Sequence, residues 1–163
     1  ARLEQSFDHA EKETFDLAEV ASQTTLAYQE LAPDHRIHYI GPANGCLCHG
    51  SPELLVQLLD KLVDNARDFT PEQGNIEIRL TQNARQLELS VFNEGSALPE
   101  NLASDIFSPF VSVRTGHQEG HLGQGLLIVR LIAEHHNGQV MASDDTGGVR
   151  FTVLLPSRPR PES

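Results

Sequence analysis

The segment Leu58–Pro71, LLDKLVDNARDFTP, constrains the fold most, because its apolar residues recur only at helical spacing. Leu54, Leu58, Leu62, Ala66 and Phe69 step by three and four residues and form one stripe, while Lys61, Asn65 and Asp68 share another. One face of this helix can pack and the other can face a pocket. Ser51 and Pro52 suit its start, since a hydroxyl caps free N–H groups and proline is preset for the first turn; Pro71 and Gly74 end it.

A second apolar helix, GQGLLIVRLIAEHHNG, follows a glycine-rich approach in Gly120–Arg130. Glycines just before a helix let a backbone come close to phosphates, whose charge is favoured at the helix N-terminus. Between the two helices lie a strand ending near Asn93, a turn with Gly95 and Pro99, and Phe107 and Phe110. Alternating apolar residues predict strands NIEIRLTQ and QLELSVFN joined by a hairpin at Asn83–Arg85, and a closing strand pair QVMASD and GVRFTVLLP. Asp16–Leu31 reads as a helix, with short strands at Arg36–Ile40 and Cys46–His49. Helices gathered on one face of a mainly antiparallel mixed sheet make this an α+β chain.

The order of asparagine helix, strand and turn, aromatic segment, glycine pair and last helix resembles the ATP-binding catalytic domain of sensor histidine kinases, in the GHKL superfamily. The resemblance runs from about Phe15 to Pro156 and implies the two-layer α/β Bergerat sandwich. It implies that Asn65 is the Mg²⁺ ligand and that Phe69 packs on the adenine. Asn93–Pro99, NEGSALP, stands where the family has D-x-G-x-G-I-P, so Asn93, Gly95, Ala97 and Leu98 would line the base pocket. Phe107 falls in the phenylalanine box, and Gly123, Gln124, Gly125 and Leu126 match the glycine pair before the last helix. The resemblance also implies that Asp68 belongs to the same pocket, that Lys61, Arg67, Arg114 and His121 lie near the phosphates, and that Glu13–Leu17 is the short strand that opens the domain.

Several positions depart from the family. Lys61 replaces a second asparagine, Asp68 replaces a basic residue for which Arg67 could substitute, Asn93 replaces the adenine-reading aspartate, Ala97 a glycine, and Val149 a threonine near the base. A neutral amide accepts a hydrogen bond about half as strong as a carboxylate does. Each motif also has a plain reading: Asn65 as a surface or cap residue, Phe107 and Phe110 as core, the glycines as a loop. In the same way Arg114 and His117 read as solvated, and His135 and His136 as a helix C-terminal feature.

A net charge of −11 over 163 residues excludes a nucleic-acid or anionic-membrane surface, and 39% hydrophobic content suffices for one core. No apolar run approaches the ~20 residues that span a bilayer. Cys46 and Cys48 are taken to point to opposite faces of their strand, which leaves free thiols; no ligand pair for zinc accompanies His49.

The resemblance divides the chain into 1–12, the end of a dimerisation and phosphoacceptor helix; 13–156, the catalytic domain; and 157–163, a disordered tail. The chain starts with alanine and reads as an excised fragment, cytoplasmic, of an inner-membrane sensor. His9, in FDHAEKET, lacks the surroundings of a phosphoacceptor. The implied partners are ATP, the missing dimerisation domain of a homodimer, and a response regulator. Two other classes stay open. A hydrolysing GHKL ATPase needs a water-activating glutamate where this chain has Lys61, and a degenerate module would bind nucleotide weakly and serve interaction.

Overall fold

A computed structural model describes residues 11–83, 85–95 and 119–157, with the backbone alone for 119–124. His9, Ala97, Leu98, Phe107, Phe110, Arg114 and His117 lie outside the described residues, as do the side chains of His121 and Gln124. The elements are β1 (Glu13–Asp16), α1 (Leu17–Leu31), β2 (Arg36–Ile40), β3 (Leu47–Gly50), α2 (Pro52–Phe69), β4 (Asn75–Gln82), β5 (Gln86–Glu94), α3 (Glu119–His135), β6 (Gln139–Asp145) and β7 (Gly148–Pro156).

Alternation builds the main sheet. Ile76, Ile78 and Leu80 of β4, Leu87, Leu89 and Val91 of β5, and Val149, Phe151, Val153 and Leu155 of β7 are all buried, and residues two apart on a strand share a face. The strand order is β2-β4-β5-β7-β6, with β2 parallel to β4 and the other pairs antiparallel. The predicted hairpin is an Asx turn, in which Asn83 Oδ1 accepts the amides of Arg85 and Gln86 at 3.1 and 3.0 Å. On the outer face Arg150 donates to Glu77 at 3.0 Å, Ser90 at 2.8 Å and Asp145 at 2.9 Å, and its guanidinium stands 5.3 Å from the Phe92 ring centre. One arginine of β7 thereby ties β4, β5 and β6 to its own strand and shields an aromatic ring that the sheet leaves outside.

The helices cover the inner face. In α2 Leu55, Leu58, Leu59, Leu62 and Val63 are buried, and Ser51 accepts the Leu54 amide at 3.2 Å as its cap. Tyr28 of α1 donates to Asp60 of α2 at 2.5 Å, and burial, followed by that carboxylate, pushes the phenol upward so that it stays protonated. Asp16 closes β1 and opens α1: its carboxylate accepts the amides of Ala18, Gly45 and Cys46 at 3.0, 2.6 and 3.1 Å.

Three expectations are corrected. The last helix starts at Glu119, so Gly120, Gly123 and Gly125 lie within it and not in a loop before it. A helical amide bonds four residues back, so the amides from 122 onward, those of Gly123 and Gly125 among them, are used within the helix, and the described donors with no intrahelical partner are those of 119–121. Cys46 and Cys48 share a face, being two residues apart, and both are buried free thiols. Burial pushes the Cys48 thiol up to about 11, which makes it unreactive.

The third correction concerns His136, which is 4% exposed and belongs to the core. Its Nδ1–H donates to the Ile132 carbonyl at 2.7 Å, and its Nε2 accepts the Ser51 amide at 3.0 Å. A carbonyl only accepts and an amide only donates, so these partners fix the neutral Nδ1–H tautomer. The start of α2 is thus bonded to the residue just after α3, and the two packed helices run antiparallel. Gly50 makes room for this contact, since a Cβ there would fall on the His136 ring. Gly50→Ala is expected to destabilise the fold by about 1–3 kcal/mol through overpacking. Urea unfolding measures this, and an unchanged midpoint would show that the ring moves aside freely.

Candidate functional site

The antiparallel helix pair decides which sequence features meet. At 1.5 Å per residue, Asn65 lies about 21 Å along α2 from Ser51, and residue 122 lies about 21 Å back along α3 from His136. The end of α2 therefore stands level with the first turn of α3. The same end of the sheet carries Asn93, which pairs with Ile76 at the start of β4 and with Val149 at the start of β7.

Gly95 joins sheet and helix here. Its φ is +137°, a value suited to glycine, and a Cβ would come 2.9 Å from the Phe69 carbonyl. Its amide donates to the Gly147 carbonyl at 3.0 Å, at the β6–β7 turn. Asn65, Phe69, Asn93, Gly95, Val149 and the first-turn amides of 119–121 thus converge on one end of the molecule.

Within this end Asn65 is distinctive. It is 9% exposed, and its Oδ1 is buried with no hydrogen-bond partner among the described residues. An orphaned buried amide oxygen costs about 1–3 kcal/mol, which a folded chain tolerates where a ligand or cation supplies the missing contact. The site so built fits a hard cation, which takes oxygen ligands. Asn93 is 2% exposed, inward-facing, and directly opposite Val149. An amide at that place can accept or donate, whereas Val149 offers neither.

The flanking residues divide. Phe69 is half-buried and packs against the core, Asp68 is exposed, and Lys61 is half-buried. Arg67 reaches toward Asp34 of the α1–β2 turn at 3.9 Å, and His35 of that turn donates to the Thr70 carbonyl at 2.9 Å, closing α2. Leu126 is fully buried, and a Cβ on Gly125 would meet nothing within 4 Å, so described neighbours do not require a glycine there. A separate cleft of about 300 Å³, lined by Arg85, Gln86, Gly138 and Pro156 among others, opens at the other end of the sheet and gathers none of these residues. Sequence reasoning missed His136, because a histidine pair after a helix looks like an ordinary cationic end. Only the contact with Ser51 separates the two readings.

Comparison with known proteins points the same way. The family model for the histidine kinase-, DNA gyrase B- and HSP90-like ATPase matches residues 50–159. Sensor histidine kinase CusS of Escherichia coli (strain K12) is 30% identical over 151 residues, 90% of this chain and 31% of CusS. Sensor protein CreC of the same strain is 37% identical over 105 residues, 64% of this chain and 22% of CreC. The chain therefore spans less than a third of the length of these relatives. Among solved structures, the nucleotide-free catalytic domain of histidine kinase ThkA superposes with a TM-score of 0.79 at 27% identity, covering 91% of this chain and 99% of that domain. ThkA in complex with response regulator protein TrrA matches with a TM-score of 0.76 at 26% identity, over 91% of this chain and 42% of that chain. With the mixed sheet, the one-sided helices and the converging residues all in agreement, the chain belongs to the family of histidine kinase-, DNA gyrase B- and HSP90-like ATPases.

Proposed function

We propose that the chain is the ATP-binding catalytic domain of a two-component sensor histidine kinase. It would transfer the γ-phosphate to a histidine on a dimerisation domain outside this chain, for onward transfer to a response regulator. The observation that carries this reading is the Oδ1 of Asn65, buried with no partner among the described residues and level with the first-turn amides of α3. The likeness to CusS and to ThkA supports the kinase branch of the family. In this reading 13–156 is the catalytic domain, 1–12 the end of a dimerisation helix and 157–163 a tail. The whole protein is a homodimer, and the domain faces the cytoplasm from an inner-membrane sensor.

Each residue has a defined task. Asn65 presents its oxygen to Mg²⁺, and the metal when bound offsets phosphate charge. The amides of 119–121, at the positive end of the α3 dipole, hold the phosphates. Phe69 gives the base an apolar wall, and Asn93 turns its carbonyl to the exocyclic amine while Val149 closes the floor. The family resemblance assigns Gln124, Ala97, Leu98, Phe107, Arg114 and His121 to the same pocket. Lys61 stands where hydrolysing relatives have a glutamate, so water has no base to activate it and the phosphoryl group is kept for the acceptor histidine.

Calorimetric titration with ATP, with and without Mg²⁺, tests the site. Asn65→Leu is expected to remove the Mg²⁺-dependent part of the affinity while melting at or above the wild-type temperature, because the substitution deletes an unsatisfied buried oxygen. Wild-type affinity in that variant would place the metal elsewhere. At the base, Asn93→Asp is expected to hold or tighten ATP binding. Asn93→Leu is expected to cost about 1–3 kcal/mol of binding; no loss would remove Asn93 from the base pocket. With radiolabelled ATP the chain alone is expected to stay unlabelled, and a longer protein carrying its own dimerisation domain to acquire an acid-labile phosphohistidine. Acid-labile label on the chain alone, lost in His9→Ala, would make His9 the acceptor instead.

A further inference from the structure

His136 lies about 21 Å along the helices from Asn65, yet its contacts set how those helices are aligned. Its ring bridges the Ile132 carbonyl of α3 and the Ser51 amide that opens α2, against the bare backbone of Gly50. The bridge exists only in the neutral form. A second proton on Nε2 would set N–H against N–H at Ser51 and place a cation at the positive end of the α2 dipole. We propose that His136 is a positioning residue for the nucleotide site, a neutral latch that keeps Asn65 level with the first turn of α3, and that acid weakens Mg·ATP binding by opening it.

This inference rests on the nucleotide reading above, but the latch itself is visible without it. Burial is the main influence holding the imidazole below its ordinary 6.5, opposed by the Ile132 bond and reinforced by His135, Lys12 and His49. These groups come from the helix end, the segment before β1, and β3. His135 meets the His136 ring edge to face at 5.5 Å, so a charge on one opposes a charge on the other. An opened chain takes up a proton near 6.5 that the closed latch refuses. Closure is therefore favoured above that pH and is progressively lost as pH falls below it.

The test is calorimetric titration of Mg·ATP at pH 7.5, 6.5 and 5.5 in the wild type and in His136→Gln, whose side-chain oxygen still accepts the Ser51 amide but does not titrate. Protonation of ATP itself affects both proteins equally. The wild type is expected to lose about fivefold more affinity than the glutamine variant between pH 7.5 and 5.5, a modest coupling between two sites. Identical pH profiles would overturn the proposal.

Imidazole ¹⁵N spectra of the wild type provide an arm that needs no variant to fold. A neutral ring protonated at Nδ1 at pH 7, charging in step with loss of Ser51 amide protection, supports the latch. A proton on Nε2 at pH 7, or protection of the Ser51 amide that does not change with pH, refutes it. If Mg·ATP binds at no pH, the nucleotide reading fails, and the Ser51 amide still decides whether the latch exists.

Discussion

The packing of α2 against α3 is the constraint on which the rest depends. The residues that matter are scattered along the sequence, from Asn65 on α2 through Asn93 on β5 and the first turn of α3 to Val149 on β7. Running antiparallel, the pair brings a buried amide oxygen and a set of unused backbone donors to one level. The sheet then supplies a floor, because β5 and β7 place Asn93 and Val149 opposite each other at that same end. The chemistry is thus spread over four elements, and none of them holds it without the others.

Stability and function pull against each other at Asn65. Its neighbours on the helix, Leu62, Val63 and Ala66, are buried apolar residues that any packed helix would select. An amide in their company, its oxygen without a partner among the described residues, is unfavourable to folding. This is the pattern expected where a ligand, and not the protein, completes the hydrogen bonding. The outer face of the sheet shows the opposite economy: Arg150 is served by three oxygen partners from three different strands.

Much of this was legible in the chain because period and punctuation agree. The Pro52–Phe69 helix, the strands at Arg36–Ile40 and Asn75–Gln82 and the Asn83 turn follow directly from apolar spacing and turn chemistry. Asn65 could be singled out as a polar residue on a mostly apolar helix. The start of α3 could not, because three glycines argue for a loop, and propensity is a weak prior against tertiary context. His136 was hidden for a related reason: its partner is Ser51, 85 positions earlier in the chain, and no local pattern announces such a bond. The shared face of Cys46 and Cys48 follows from the two-residue period of a strand, and burial then silences both thiols.

The parallel pairing of β2 with β4 has a consequence for how the molecule assembles. Strands β4, β5, β7 and β6 are antiparallel neighbours, and β4–β5 and β6–β7 close through short turns. Strand β2 has β4 as its one neighbour in that sheet, and the register Arg36↔Asn75 requires residues 41–74 to loop back first, with α2 among them. The loop-closure entropy of that crossover is paid before any of its hydrogen bonds form. The antiparallel part can therefore gather early, and the docking of α2 that brings β2 home is also the event that carries Asn65 to its place. The last contacts to form in folding would then be among those that create the site.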